Sequence, residues 1–488
     1  MSGGNGGHQE RARPLGFAML GIYSSGAMVD VVITFALNNL LFFYLTIICG
    51  MSGTAAGVVT FLSLVVDAAV DPLLGSFSDN TRSRFGRRHP FLIGSVIPTT
   101  VAFLLLFSIP AALHGLTLFA YAMVMSLAFR FGYSAFQVPY LALGAELSDD
   151  YHERSTIVGY RVFMAIIATI AATILAYNVF LPGPHIYQRA AYTPLAASFG
   201  AILIATGLLA GFGTLSTRKR LHQAGETEGG GVARLVSEMV EIFRNGSFRT
   251  LFASALVFFV SQGVAVSLTQ DANLYFWQLS TDDLRNLSFA YTGGLTLGIF
   301  IAAGLASRLE KRVAAQVGLL IFAAAQFAPV TLRVLGVLPP GAPSLIMLML
   351  AYAALGVAVT IAVIGYQSMM ADAADEHEHL FGARREGLYF AGISFSVKAS
   401  SGLGTLIAGV AIDLIGFPHD IAAKGASAVI APGILRELAL IYGPGAAIAT
   451  VISTAMLLGY RLNRKAHAKI LETLTERRQI TGVDPIIS

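Results

Sequence analysis

The chain has 488 residues, of which 55% are hydrophobic and 12% charged, and its net charge is +4. A soluble domain carries about 25% charged residues, so this composition excludes a large soluble enzyme, and so small a basic excess gives no footing for a nucleic-acid partner. A single Cys leaves neither an intramolecular disulfide nor a Cys cluster for a metal.

Apolar stretches recur along nearly the whole chain, each long enough to cross the ~30 Å hydrocarbon layer of a bilayer. The hydropathy pattern predicts spans at residues 15–48, 53–77, 91–112, 116–146, 154–180 and 194–215 in the first half. The second half repeats the count at 248–279, 288–307, 313–335, 344–373, 387–415 and 435–461. Residues 1–14 form a Gly-rich polar tail without an apolar core, so the first span is expected to act as an uncleaved anchor. The domains are then a bundle at 15–215, a polar linker at 216–246, a second bundle at 247–462 and a charged tail at 463–488. Within the linker, residues 232–243 have helical periodicity with charges on one face, which predicts a helix lying along the membrane surface.

Basic residues orient the chain. Arg82, Arg84, Arg87 and Arg88 follow the second span, Arg308, Lys311 and Arg312 the eighth, and Arg384 and Arg385 precede the eleventh. With alternating spans all fall on one side, together with the tail. The positive-inside rule places that side, and both termini, in the cytoplasm.

Asp67 and Asp71 stand one helical turn apart inside the second span. A carboxylate in the membrane costs about 2.5–3.5 kcal/mol on insertion scales and marks an ion or substrate path. Two at i and i+4 share a helix face and repel, so they stay ionised together only beside a positive charge. The simplest such charge is a bound cation, and hard cations take oxygen ligands. These residues therefore predict a cation-coupled membrane transporter. Asp30 in the first span and Lys398 in the eleventh extend the constellation. The bland alternative is a structural pair held by Lys398 or Arg161. Three charged clusters border the spans on the basic side: Asp79, Arg84 and Arg88; Glu153 and Arg154; Asp372, Asp375, Arg385 and Glu386. As exposed pairs each is worth only ~0–1 kcal/mol; as a network they read as a cytoplasmic gate, and otherwise as topogenic charge alone. Trp277 and Tyr275 read as membrane-interface anchors, and His377 and His379 as solvated loop residues. No Gly-rich phosphate loop ending in Lys-Ser or Lys-Thr opens a helix, which disfavours an ATP-driven pump.

Four blocks carry a family resemblance. They are Asp67-x3-Asp71-Pro72 running on to Arg87-Arg88-x-Pro90; Gln137-Val138-Pro139-Tyr140 with Glu153-Arg154 and Tyr160-Arg161; Asp372 to Gly387; and Lys398 in Ser396-Val397-Lys398-Ala399. In this order they resemble the melibiose-carrier class, the glycoside-pentoside-hexuronide:cation symporters of the major facilitator superfamily. The resemblance implies an all-α polytopic membrane protein with twelve transmembrane helices in two pseudo-symmetric six-helix bundles, not an enzyme. It implies a coupling cation at Asp67 and Asp71, taken as sodium although an aspartate pair serves a proton or lithium equally, no other cofactor, and substrate binding and coupling through Asp30, Gln137, Arg161 and Lys398. It implies alternating access in the inner membrane by a monomer. Where the sugar carriers have a carboxylate before Val-Pro and a Trp four residues on, this chain has Gln137 and Leu141, and Val363 replaces a second aromatic. A wider, greasier cavity is expected from those changes. The class also includes animal sodium-dependent lysophospholipid symporters, so the expectation leans to a lysophosphatidylcholine-type solute. Lys398 or Arg161 would meet its phosphate and Asp30 its choline. A sugar or glycoside comes second, and an uncoupled scramblase or receptor third.

Overall fold

The computed structural model describes residues 15–148, 150–219, 240–382, 386–419, 421 and 430–481. Among them are 12 helices long and apolar enough to cross a membrane. In the first half these are α1 (Phe17–Leu41), α2 (Gly53–Asn80), α3 (His89–Leu106), α4 (Gly115–Glu146), α5 (His152–Phe180) and α6 (Arg189–Thr217). In the second they are α7 (Gly246–Phe276), α8 (Thr281–Arg308), α9 (Lys311–Val334), α10 (Ala342–Phe381), α11 (Gly387–Leu414) and α12 (Pro432–Gly459). A polar helix, α13 (Arg464–Thr481), occupies what the sequence presents as a charged tail. Residues 1–14, 232–239 and 482–488, and Arg385, lie outside the described residues, so the predicted surface helix is described only at 240–243.

Capping residues explain several boundaries. Ser52, Asp150 and Asn245 each accept a backbone N–H at the start of α2, α5 and α7. Ser280 and Asp283 form a reciprocal capping box, which starts α8 seven residues before the hydropathy signal. At the other end of the chain's longest span, the acidic and histidine-rich run after Asp372 continues α10 to Phe381. It stops at Gly382, whose φ of 78° suits a left-handed cap.

Within each half the helices pack on one another, α1 with α5 and α6 and α3 with α4, then α8 and α9 with α10 and α7 with α11 and α12. The halves meet where α2 packs on α11 and α5 on α8. We call the side bearing the 216–246 linker the linker face and the opposite side the far face. On the far face the halves are sealed. The backbone N–H groups of Gly53 and Thr54 both donate to the Asp413 carboxylate at 2.8 Å, and the Gly183 N–H donates to Thr281 Oγ1 at 2.8 Å. One apolar core joins first-half residues such as Phe35 and Tyr44 to Leu268, Ile412 and Tyr442 of the second half. A second core belongs to the other half alone, around Phe258, Tyr366 and Tyr389.

Small residues make the α2–α11 seam close. A Cβ on Gly57 would come within 2.8 Å of the Leu406 Cα, and one on Gly409 would strike the Gly53 carbonyl. Backbones approach this closely only where side chains are absent. Gly409→Leu is therefore expected to prop the far face open and stop transport. In a Cys49→Ser background, Thr269→Cys would then gain labelling by a membrane-impermeant maleimide from the far side. Unaltered labelling would show that the seam does not seal the cavity.

Candidate ion and substrate site

The two acids of α2 meet a base from the other half. Asp67 is 1% exposed. Lys398 of α11 lies with its Nζ 2.8 Å from Asp67 Oδ2 and donates a hydrogen bond to Asp71 Oδ2. The positive charge between the aspartates is thus the protein's own ammonium. From α4, Arg130 Nη1 stands 3.8 Å from Asp67 Oδ2, with its side chain only 11% exposed. Ser134 donates to Asp67 Oδ1, and Tyr133 donates to Asp30 Oδ1. Arg130, Tyr133 and Ser134 share one helix face by their i, i+3 and i+4 spacing. Burying ions costs several kcal/mol each, and breaking such a cluster by removing one partner costs more than forming it gains.

Asp30 lines a cavity of about 340 Å³ between the halves, on the far-face side of the cluster. The amides of Asn38, Asn39, Gln262 and Gln326, threonine hydroxyls such as those of Thr34 and Thr269, and the rings of Tyr291 and Tyr352 share its wall with apolar side chains. Gln137 and Arg161 are not among its lining residues. Arg161 packs its guanidinium 5.4 Å from the centre of the Tyr140 ring. Val363 packs on the second-half core. The loss of sugar-carrier aromatics at Leu141 and Val363 therefore does not strip the cavity, because Tyr291, Tyr352 and Tyr442 line it.

The charged clusters of the linker face are paired inside each half. Arg88 forms an ion pair with Asp79 and another, at 2.8 Å, with Glu146. Glu153 accepts from the Leu15 N–H and Ser148 Oγ, and Arg154 Nε donates to the Ser148 carbonyl at 2.7 Å. Lys311 donates to Asp372 at 2.7 Å, and His467 lies 3.0 Å from Asp375. Arg84 stacks 4.8 Å from the Phe85 ring. Arg385 is outside the described residues, as is the side chain of Glu386.

Two sequence readings are corrected. Trp277 and Tyr275 are buried, at 1% and 8% exposure; Arg333 stacks on Trp277 at 5.2 Å, inside the far-face seal and not at a lipid interface. His377 is fully buried and packs on Phe381 at 4.6 Å. Sequence reasoning also missed residues. Arg130 is a lone arginine in Leu127-Ala128-Phe129-Arg130-Phe131, and the rule that selected Asp67 would have selected it. Asp271 of α7 is 1% exposed, and neither oxygen has a hydrogen-bond partner among the described residues.

Twelve spanning helices in two bundles, with charge clustered at mid-span against a central cavity, define a multi-pass membrane transporter of the major facilitator fold. The family model described as MFS/sugar transport protein matches residues 21–464, and the chain belongs to that family. An uncharacterized symporter of Synechocystis sp. is 25% identical over 96% of this chain and 98% of its own. The isoprimeverose transporter of Lactiplantibacillus pentosus is 24% identical over 90% of this chain and 87% of its own. Sodium-dependent lysophosphatidylcholine symporter 1 of Xenopus tropicalis is 30% identical, over 24% of this chain and 22% of its own. The crystal structure of the nucleoside transporter NupG (D323A mutant) superposes with a TM-score of 0.61 at 14% identity, covering 91% of this chain and 99% of that one. The fold and the transporter class read from the sequence are thereby established.

Removing Asp67 strands Arg130, whereas removing Asp71 leaves Lys398 held by Asp67. Asp67→Asn is expected to destabilise the detergent-solubilised protein by about 3–5 kcal/mol and Asp71→Asn by clearly less, as measured by thermal unfolding. Equal losses would mean that Arg130 does not depend on Asp67. Asp271→Asn removes a buried acid with no partner to lose, and its melting temperature should equal or exceed that of the wild type.

Proposed function

We propose that the chain is a sodium-coupled symporter that imports a polyhydroxylated solute of the sugar or glycoside class by alternating access. The observation that carries this reading is the Lys398 ammonium lodged between Asp67 and Asp71 at mid-span. A sodium ion seeks the same oxygens, so ion and ammonium compete. The contest involves both halves, because the acids belong to α2 and the lysine to α11. Binding that differs between two conformations shifts their balance, and here the ion's arrival loosens a tie between the halves. Asp30 faces the cavity and accepts from Tyr133, the residue before Ser134, which holds Asp67. Solute and ion are thus linked through adjacent residues of α4.

The cavity favours a sugar over a lysolipid. At about 340 Å³ it sits at the small end of the roughly 300–1,000 Å³ typical of ligand pockets. Amides and hydroxyls match sugar hydroxyls, and tyrosine rings match the apolar face of a pyranose. The relative that transports isoprimeverose aligns along nearly the whole chain, the lysophosphatidylcholine relative over about a quarter. By the positive-inside rule the linker face is cytoplasmic, in the cytoplasmic membrane, and the sealed far face is the outer one. The charge pairs inside each half are then the groups that re-partner as a cytoplasmic gate when that side closes. One chain supplies every residue of the site, so a monomer suffices.

Purified protein in liposomes should accumulate glycosides such as isoprimeverose under an inward sodium gradient. Asp71→Asn should abolish the accumulation while the protein stays folded, and lysophosphatidylcholine should not compete. Uptake indifferent to sodium, or undiminished in Asp71→Asn, would overturn the ion site. Saturable competition by lysophosphatidylcholine would return the solute to the lipid class.

A further inference from the structure

The two acids of α2 are not equivalent. Asp67 is enclosed: Ser134 holds Oδ1, while Oδ2 faces Lys398 at 2.8 Å and Arg130 at 3.8 Å. Asp71 is less enclosed. Its side chain is 25% exposed, Lys398 takes Oδ2, and Oδ1, itself shielded from solvent, has no hydrogen-bond partner among the described residues. The four side chains, two carboxylates and two bases, sum to zero charge on their own. A guanidinium does not give up its proton in proteins, so the charge Arg130 brings to Asp67 is permanent. That of Lys398 is delivered on a flexible chain from the other half.

We propose that Arg130 is a built-in cation that holds Asp67, so that the coupling ion exchanges with Lys398 at Asp71 alone. The inference rests on the reading of this cluster as the ion site and assigns the two acids different roles in it. An arriving monovalent cation reaches Asp71, the more exposed of the two acids, takes up its unpaired Oδ1 and displaces the ammonium from that carboxylate. Asp67 does not become a bare neighbouring charge when Lys398 moves, because Arg130 stays beside it. The pair repulsion that would otherwise demand an ion at each acid is thus already relieved at one of them. One cation enters per cycle, and cation dependence of uptake has a Hill slope of one.

The test is uptake into liposomes as a function of the driving cation, whichever of sodium, lithium or protons drives the wild type. Arg130→Gln leaves a net negative cluster and turns Asp67 into a second ligand, so the cation concentration for half-maximal uptake should fall by about tenfold or more. Arg130→Lys, which keeps the charge, should stay near the wild-type value. Asp67→Asn alone leaves the Arg130 charge facing Asp71 and should lose cation-driven uptake, whereas the double variant Asp67→Asn with Arg130→Gln deletes the fixed pair together and should regain it. An unchanged half-maximal concentration in folded Arg130→Gln overturns the inference and leaves the symporter reading standing. If Arg130→Gln fails to fold, the double variant decides: restored accumulation supports the inference, and none in a folded double variant overturns it. Wild-type uptake that no cation drives would instead sink the symporter reading itself, and the inference with it.

Discussion

The structure turns on a buried exchange of charge between two acids of α2 and two bases, one from α4 and one from α11. Taking four ions out of water is expensive, and their mutual attraction repays it only with close geometry. A cluster that served only stability would be better replaced by apolar packing. This one differs from an ordinary buried pair because Lys398 comes from the opposite half. Its contacts therefore report how the halves sit, and whatever competes with Lys398 acts on that arrangement. Arg130 has no such freedom, since α2 and α4 pack within one bundle. The cluster thus combines a fixed base and a movable one against the same deep acid.

What surrounds the cluster is rigid where rigidity is needed. From Gly53 and Gly409 at the far face to Gly402 against Phe61, the seam between α2 and α11 is backbone on backbone. It ends one helical turn from Lys398, which lies four residues before Gly402. The seam and the ion cluster are consecutive stretches of one helix pair. A movement that parts the halves on the far face must unzip close-packed backbone, while a movement at the level of the cluster need only exchange ionic partners. The ionic tie is therefore where a solute or ion of modest binding energy has purchase on the fold.

Most of the architecture was legible because span length and charge are written locally. The twelve spans and the basic side follow from runs of apolar residues and from arginines placed between them. Boundaries were misjudged where polarity and structure part company. Asp372 to His379 reads as a loop by charge, but its residues suit a helix, and only Gly382 stops α10. The site was legible for Asp67, Asp71 and Lys398, which are conspicuous in apolar surroundings and do converge. Arg130 carries the same signal, a lone charge in an apolar run, but it lies seven residues before the motif beginning at Gln137 and outside every block of the family resemblance. The cavity wall could not be read at all. It takes residues from seven helices, so no stretch of sequence bears its pattern. The burial of Trp277 was hidden for a like reason, since its partner Arg333 is on another helix.

Coupling between ion and solute needs both to bias the same element, and the effect is reciprocal. On the proposed reading that element is the face of α4 bearing Arg130, Tyr133 and Ser134. Tyr133 holds the acid that faces the cavity, Ser134 holds the acid in the ion cluster, and Arg130 neutralises the latter. A solute hydroxyl that bonds Asp30 competes with Tyr133, and any adjustment of that side chain is felt one residue away at Asp67. In the other direction, an ion that dislodged Lys398 would free a cation close to Asp30, the one acidic residue lining the cavity among the described residues. Neither event requires a long pathway through the protein. In the proposed symporter the contacts of Arg130, Tyr133 and Ser134, on one face of α4, would connect the two ligands.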